Sequence, residues 1–350
     1  MKRLLTSTTL IAALFSVHTF ADNSSIQPLV EAAKKEGQVY SIGMPDTWAN
    51  WKGTWQDLAK NYGLKHQDTD MSSAQEIAKF EAEKNNATAD IGDVGFAFAR
   101  TAVKKGVTQP YKPTTWDSIP DWAKDKEGHW ALAYTGTIAF ISNNNLVKNP
   151  PKTWDDLLKG DYKVSVGDVG VAAQANNAVL AAAFAKGGSE KNLKPAIEFF
   201  AKLAKEGRLS FTDPGVANLE KGEVEVAIMW DFNALNYRDQ IERSRFTVSI
   251  PQDGSIISGY TTIINKYAKN PNAAKLTREY IFSDKGQINL AEGYARPIRT
   301  DVVLPKSIQD KLLPNSQYGN VHPVGDFSAW EKSARQLPRQ WQEEVLINQQ

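Results

Sequence analysis

The sequence predicts an α/β protein built as two lobes. Three observations carry this reading. Short β-branched stretches alternate with helical patterns over residues 38–105. The same alternation returns over residues 163–291. Two long extended stretches, residues 134–142 and 255–264, separate these runs and are placed to cross between them.

The elements follow in order. Residues 26–36 read as a helix, with Leu29, Val30, Ala32 and Ala33 apolar and Gly37 as its stop. "QVYSIG" is a short strand. A helix is expected over residues 47–62, because Trp48, Trp51, Trp55, Leu58 and Tyr62 fall on one helical face. Of these, Trp51, Trp55, Leu58 and Tyr62 are expected in the core. "LKHQDTD" reads as a strand. Residues 72–84 read as a helix opened by two serines, with Glu76 placed for a capping box. "ADIGDVG" is a buried strand, and residues 96–105 form the next helix.

The long segment "HWALAYTGTIAFISNNNLV" is extended and aromatic-rich. "PPKTWDDLLKGDY" is a helix begun by proline, and "KVSVGDVG" a strand leading into a helix over residues 172–186. "PAIEFFAKLAKEG" is helical, "GEVEVAIMW" a strand and "FNALNYRDQIER" a helix. "RFTVSIP" and "ISGYTTIINK" are strands, and helices are expected over residues 272–282 and 283–291.

Composition narrows the function. Met1, Lys2 and Arg3 start a basic segment, residues 4–17 are mostly apolar, and Thr19 and Ala21 are small residues before a cut after Ala21. That is the pattern of a secretory signal peptide over residues 1–21, and its apolar run is too short to span a bilayer. The chain has no cysteine, which excludes disulfides and a lipid-modified N-terminal cysteine. Forty-one basic residues meet 40 acidic ones, with no basic stripe for nucleic acid. His66, His129 and His322 lack metal-ligand spacing. Neither a Gly-x-Ser-x-Gly elbow nor a P-loop is present. No cofactor, metal or catalytic residue is expected. Ten tryptophans are the unusual feature, and they serve cores and clefts alike. Trp116, Trp122 and Trp130 have no strand-end logic and are read as core or surface.

Several blocks resemble a known family. "EGQVYSIG", "SSAQEIAKFEAEKNNATADIGDVG", "NPPKTWDDLLKGDYK", "KGEVEVAIMW" and "SDKGQINLAEGYARPIRTDV" are similar to solute-binding proteins of ABC importers. The nearest branch includes binders of iron(III), spermidine/putrescine, thiamine and 2-aminoethylphosphonate. The resemblance implies a bilobed periplasmic-binding-protein fold (type II-like), with the ligand cleft between two α/β lobes. It implies a monomer in the periplasm that delivers a small solute to an ABC permease in the inner membrane. Lobe I is expected over residues 22–136 plus 258–308, and lobe II over 137–257. Residues 309–350 are expected to form a C-terminal helical segment packed on the lobes. Two readings from other classes stand beside it: an exported enzyme on the same fold, and a sensory partner carrying the same solute.

In open α/β sheets, ligands sit beyond the carboxyl ends of the strands. That rule points to Met44, Asp46 and Trp48 after the first strand, Ser72 and Ser73 after the second, and Asp93 after the third. Tyr134 and Thr135 fall at the expected hinge. Asp168, Gly170 and Gln174 fall at the start of a lobe II helix, Trp230 and Asp231 at a lobe II strand end, and Tyr260 on the return crossing. Asp46, Ser72, Ser73, Asp93 and Asp168 could equally serve as helix caps. Aromatic faces with carboxylates suit an amine or other organic cation. Helix N-termini with Ser72, Ser73 and the Gly167–Gly170 turn suit a phosphorylated or phosphonate anion. The family's ferric binders use adjacent tyrosines, and this sequence has no Tyr-Tyr pair. Trp-rich first loops in the polyamine binders favour the cation.

Overall fold

The computed structural model describes residues 25–349. The expected signal peptide lies outside them. The strands are β1 (Gln38–Ile42), β2 (Lys65–Thr69), β3 (Ile91–Gly95), β4 (Thr108–Gln109), β5 (Trp130–Asn143), β6 (Val164–Ser165), β7 (Leu209–Ser210), β8 (Val226–Trp230), β9 (Phe246–Ser249), β10 (Ser255–Asn265), β11 (Arg296–Pro297) and β12 (Val321–Pro323). The helices are α1 (Gln27–Glu36), α2 (Trp51–Tyr62), α3 (Ser73–Glu83), α4 (Phe96–Lys104), α5 (Trp154–Lys159), α6 (Ala173–Ala185), α7 (Lys194–Lys205), α8 (Val216–Lys221), α9 (Asp231–Ile241), α10 (Pro271–Phe282), α11 (Asp284–Glu292), α12 (Lys306–Gln309) and α13 (Phe327–Gln340). Among the described residues, no helix is long and apolar enough to cross a membrane.

The strand order is β2-β1-β3-β10-β5-β8-β6-β7. β1 runs parallel to β2 and β3, whereas β10 lies antiparallel between β3 and β5. β5 joins the two halves. Its start pairs with β10, and its end, Ile138 to Asn143, pairs with β8 and β9. Every residue of β5 is buried, so the crossing strand is part of the core of both halves. Opposite Tyr260 and Thr261, Ala133 is an extra residue in β5, a bulge that bends β5 where it meets β10.

Local chemistry explains the element ends. Gly37 and Gly63 close α1 and α2 in the left-handed conformation, at φ 69° and 71°. Thr153 and Asp156 form a capping box on α5. Three expectations need correction. α2 starts at Trp51 rather than residue 47, because Ala49 and Asn50 hold positive φ values of 48° and 56° that no α-helix contains. Asp46 therefore caps nothing, and Trp48 sits in a turn ahead of the helix, its N–H bonded to the Pro45 carbonyl. The capping-box partner of Ser72 is Gln75, and Glu76 turns inward instead. The strand expected from "KVSVGDVG" shrinks to Val164 and Ser165, because the chain turns at Gly167 and Gly170 with φ values of 81° and 95°.

α13 spans the two halves. Phe327 meets Phe96 at the start of α4 with ring centres 4.5 Å apart, and Glu331 accepts from Lys104 at 2.7 Å. Beyond α13, Trp341 packs on Phe200 of α7.

Candidate functional site

The strand ends of the first half converge on an aromatic cluster shared with the second. Trp48 comes from the turn before α2, Tyr134 from β5 and Tyr260 from β10. Trp230 ends β8, and Phe232 opens α9. Trp48 lies edge-on to Phe232 and to Tyr260, at 5.5 and 5.4 Å between ring centres. Tyr134 stacks on Tyr260 at 5.8 Å and meets Phe232 edge-on at 5.5 Å. The polar tips pair within the cluster. Trp48 Nε1 donates to the Tyr134 hydroxyl at 2.8 Å, and Trp230 Nε1 to the Tyr260 hydroxyl at 3.1 Å. Gly136 makes this packing possible, because a Cβ there would fall 2.5 Å from the Phe232 ring.

Two carboxyls lie against this cluster. Asp93 Oδ2 accepts from the Tyr134 hydroxyl at 2.6 Å, while its Oδ1 is buried without a partner. Glu76, in the first turn of α3, reaches between Gly43 and Gly92, where any Cβ would lie within 3 Å of its carboxylate. Its Oε2 is also buried and unpartnered. Asp93 and Glu76 are each 1% exposed. Burial pushes both well above the ordinary carboxyl range. For Glu76 the nearby Asp93 adds to the rise, and for both residues Asp68 adds further. Asp68 is pushed up to about 6, by burial first and then by Asp70 and Asp46, although Ser41 Oγ donates to it at 2.5 Å and Met44 N at 3.1 Å. Asp70 is raised by burial and by Asp213. The charged neighbours that act on these four groups are themselves carboxylates.

The expected site residues divide accordingly. Trp48, Asp93, Tyr134, Trp230 and Tyr260 meet in one cluster. Met44 is buried beside it and offers its carbonyl to Trp55 Nε1. Gln174 supports the cluster from behind, its side-chain oxygen accepting from Trp230 N at 3.0 Å. Ser72 caps α3 with Gln75, and Ser73 Oγ accepts from Gly95 N at 2.9 Å.

The others lie apart. Asp46 is exposed and lines an outer cavity of about 390 Å³ with Asn50, Asn236 and Glu292. Thr135 lines a separate apolar cavity of about 360 Å³ with Phe96, Trp122 and Phe327. Asp168 is exposed, and Gly170 packs on Pro338 while its N–H goes to Asn176 Oδ1 at 2.6 Å. Asp231 is held in another network. Its Oδ1 accepts from the backbone of Thr137 and of Phe232 at 2.9 Å each, and its Oδ2 accepts from the Tyr318 hydroxyl at 2.6 Å.

Sequence reasoning missed Phe232 and the inward role of Glu76. Phe232 lies two residues past the strand end, beyond Asp231. The signal for Glu76 was Gly43 and Gly92, which leave room for its carboxylate but carry no mark in the sequence of what fills it. The two halves also touch directly at the rim. Asn236 Nδ2 donates to the Thr47 carbonyl at 2.8 Å, and the Tyr294 hydroxyl donates to Asp239.

Comparison with known proteins places this geometry. A protein of Salmonella typhimurium named as a putative 2-aminoethylphosphonate-binding periplasmic protein is 25% identical over 289 residues, 75% of this chain and 79% of its own. A periplasmic binding protein from Actinobacillus pleuropneumoniae, solved with fructose-6-phosphate, superposes with a TM-score of 0.72 at 19% identity, covering 89% of this chain and 99% of its own. A spermidine/putrescine substrate-binding protein from Streptococcus pneumoniae superposes with a TM-score of 0.63 at 13% identity, covering 89% and 99%. The fold is therefore the bilobed periplasmic-binding-protein fold, whose known members in these comparisons are binding proteins. Residues 86–320 match the family model, and the chain belongs to the bacterial extracellular solute-binding proteins.

Proposed function

We propose that this protein is the periplasmic receptor of an ABC importer and that its solute is an amine or other organic cation. One observation carries the choice of solute. Asp93 and Glu76 are buried carboxyls with unpartnered oxygens, set against the rings of Trp48, Tyr134, Tyr260 and Phe232. An ammonium gains from such ring faces and from a desolvated carboxylate. The charged neighbours of an anion at the same place would be carboxyls.

The receptor role has its own support. Relatives are named as periplasmic and ABC-transporter binding proteins. The leader over residues 1–21, cut after Ala21, would export a monomer. The crossings in β5 and β10 suit lobe I over residues 22–136 plus 258–308 and lobe II over 137–257, with 309–350 bracing both. The rings of Trp48, Phe232 and Tyr260 fill the space between the halves, so a solute enters as the lobes part.

A phosphonate or phosphorylated anion is the second reading. The 2-aminoethylphosphonate and fructose-6-phosphate of two relatives above favour it. So do the guanidinium nitrogens of Arg296, Nε and Nη2, which are buried without partners. Against it, the Gly167–Gly170 turn spends its Gly170 N–H on Asn176.

A thermal-shift panel tests the choice, with putrescine, spermidine, choline, 2-aminoethylphosphonate and fructose-6-phosphate. A ligand at about 100 times its Kd stabilises by roughly 2.7 kcal/mol, enough to see. Stabilisation by the organic cations is expected. A response to the two phosphorus compounds alone overturns the cation reading.

A further inference from the structure

Asp93 and Glu76 pose a charge problem for the empty protein. Both are buried, and each keeps an oxygen without a partner at hydrogen-bond distance. Among the described residues the charged groups that act on them are carboxylates, with the Trp51 indole the one further donor facing Asp93. The groups facing them come from every side of the site. Asp68 and Asp70 stand at the end of β2, and Trp51 on α2. Tyr134 faces them from β5, and Tyr260 from β10. Tyr237 of α9, itself close to Asp70 and Asp213, faces Tyr260. Arg278 of α10 packs behind β10, where its Nη donors go to the carbonyls of Tyr111, Gly128 and Thr262 and its Nε is buried without a partner. A buried carboxyl in such company keeps its proton unless a cation arrives.

We infer, resting on the organic-cation reading above, that the protein captures its solute by proton exchange at Asp93. The cation enters beside Trp48 and Tyr260, the Asp93 O–H bond breaks, the proton leaves to water, and a carboxylate–ammonium pair remains. Release of the solute returns the proton. Asp93 rather than Glu76 makes the exchange, because Asp93 is joined through Tyr134 to the Trp48 indole. Glu76, wedged between Gly43 and Gly92, stays protonated behind it. Exchange gives affinity a definite pH dependence. Below the pH at which empty Asp93 ionises, affinity falls about tenfold for each unit of acidification.

Calorimetry of spermidine, putrescine and choline near neutral pH, in two buffers of different ionisation heat, counts the protons. Infrared difference spectra on adding the same probe report the protonated carboxyl directly. The expected result is release of about one proton per bound cation, with loss of a protonated-carboxyl band that Asp93→Asn lacks. Glu76→Gln, with Asp93 intact, should keep the release. If a cation binds and no proton leaves, exchange is overturned while the cation receptor stands. If release survives in Asp93→Asn and vanishes in Glu76→Gln, the assignment to Asp93 is overturned. If none of the three cations binds, the cation reading and the exchange fall together.

Discussion

Tyr134 on β5 and Asp93 on β3 are joined by a 2.6 Å hydrogen bond across the intervening β10, and the same hydroxyl accepts from Trp48. The Tyr134 side chain is fully buried. Tyr134→Phe keeps the ring packing but leaves the Trp48 N–H and the Asp93 carboxyl each short of a partner. An orphaned buried group costs about 1–3 kcal/mol. A loss in that range, measured by urea unfolding, is expected. A neutral change would mean that water replaces the hydroxyl.

Gly92 and Glu76 are coupled by space. A Cβ at Gly92 would sit 2.7 Å from Glu76 Oε2, and Gly92 has no positive φ to add strain. Gly92→Ala should therefore destabilise the wild type, yet cost little once Glu76→Ala has emptied the space. A double-mutant cycle should show a coupling of about 1 kcal/mol or more. Additive costs would place the Glu76 side chain elsewhere.

These two relationships mark what the sequence could and could not reveal. The strand-end rule found Trp48, Asp93, Tyr134, Trp230 and Tyr260, because strand ends and crossings are written in local patterns. It could not tell which side of β5 each residue takes. The β5–β10 bulge breaks the simple alternation, and Thr135 faces the Phe96 and Phe327 cavity instead. Helix spacing placed Trp51, Trp55, Leu58 and Tyr62 in the core; the first three are buried there, and Tyr62 is half-buried against it. It also extended α2 back to residue 47, since the positive φ of Ala49 leaves no trace in residue type and that of Asn50 only the general tolerance of Asn for this region. Glu76 was hidden for a different reason. A glutamate in a first helical turn reads as a cap, and only tertiary packing draws it inward.

Stability should respond to acid through two opposing groups beside Ser41. Burial holds His66, stacked on Trp55 with ring centres 3.6 Å apart, down to about 4. Its contribution is present above about pH 6.5 and is lost as pH falls through about 4. Asp68 is raised to about 6, so its contribution is present below about pH 3.8 and is lost as pH rises through about 6. The slopes offset each other in the wild type. His66→Phe keeps the stack and removes one of them. Urea midpoints of this variant should fall between about pH 4 and 6, whereas those of the wild type change less. A parallel pair of curves would sink the assignment.

Asn236 and Tyr294 clasp the rim, through the Thr47 carbonyl and Asp239. Asn236→Ala removes one such bond, worth about 1 kcal/mol. The closed form should lose population, visible as a larger radius of gyration in solution scattering of the empty protein. Affinity should fall about fivefold, the same energy read through binding. An unchanged radius with unchanged affinity would show that the bond does not hold the lobes together.

Asp231 looks like a ligand contact in the sequence, as an acid next to Trp230 at a strand end. Its carboxylate is committed elsewhere. Thr137 N and Phe232 N share Oδ1, the Tyr318 hydroxyl takes Oδ2, and the Arg296 charge lies nearby. This network ties β5 and the start of α9 to the C-terminal segment. Asp231→Ala would leave two backbone donors and a phenol unpaired in a buried place, and each costs about 1–3 kcal/mol. A stability loss of at least about 2 kcal/mol is expected. Asp231→Asn retains an acceptor and should lose less. In the Asn variant the thermal shift from a bound cation should match that of the wild type. A lost shift with full stability would instead put Asp231 in contact with the solute.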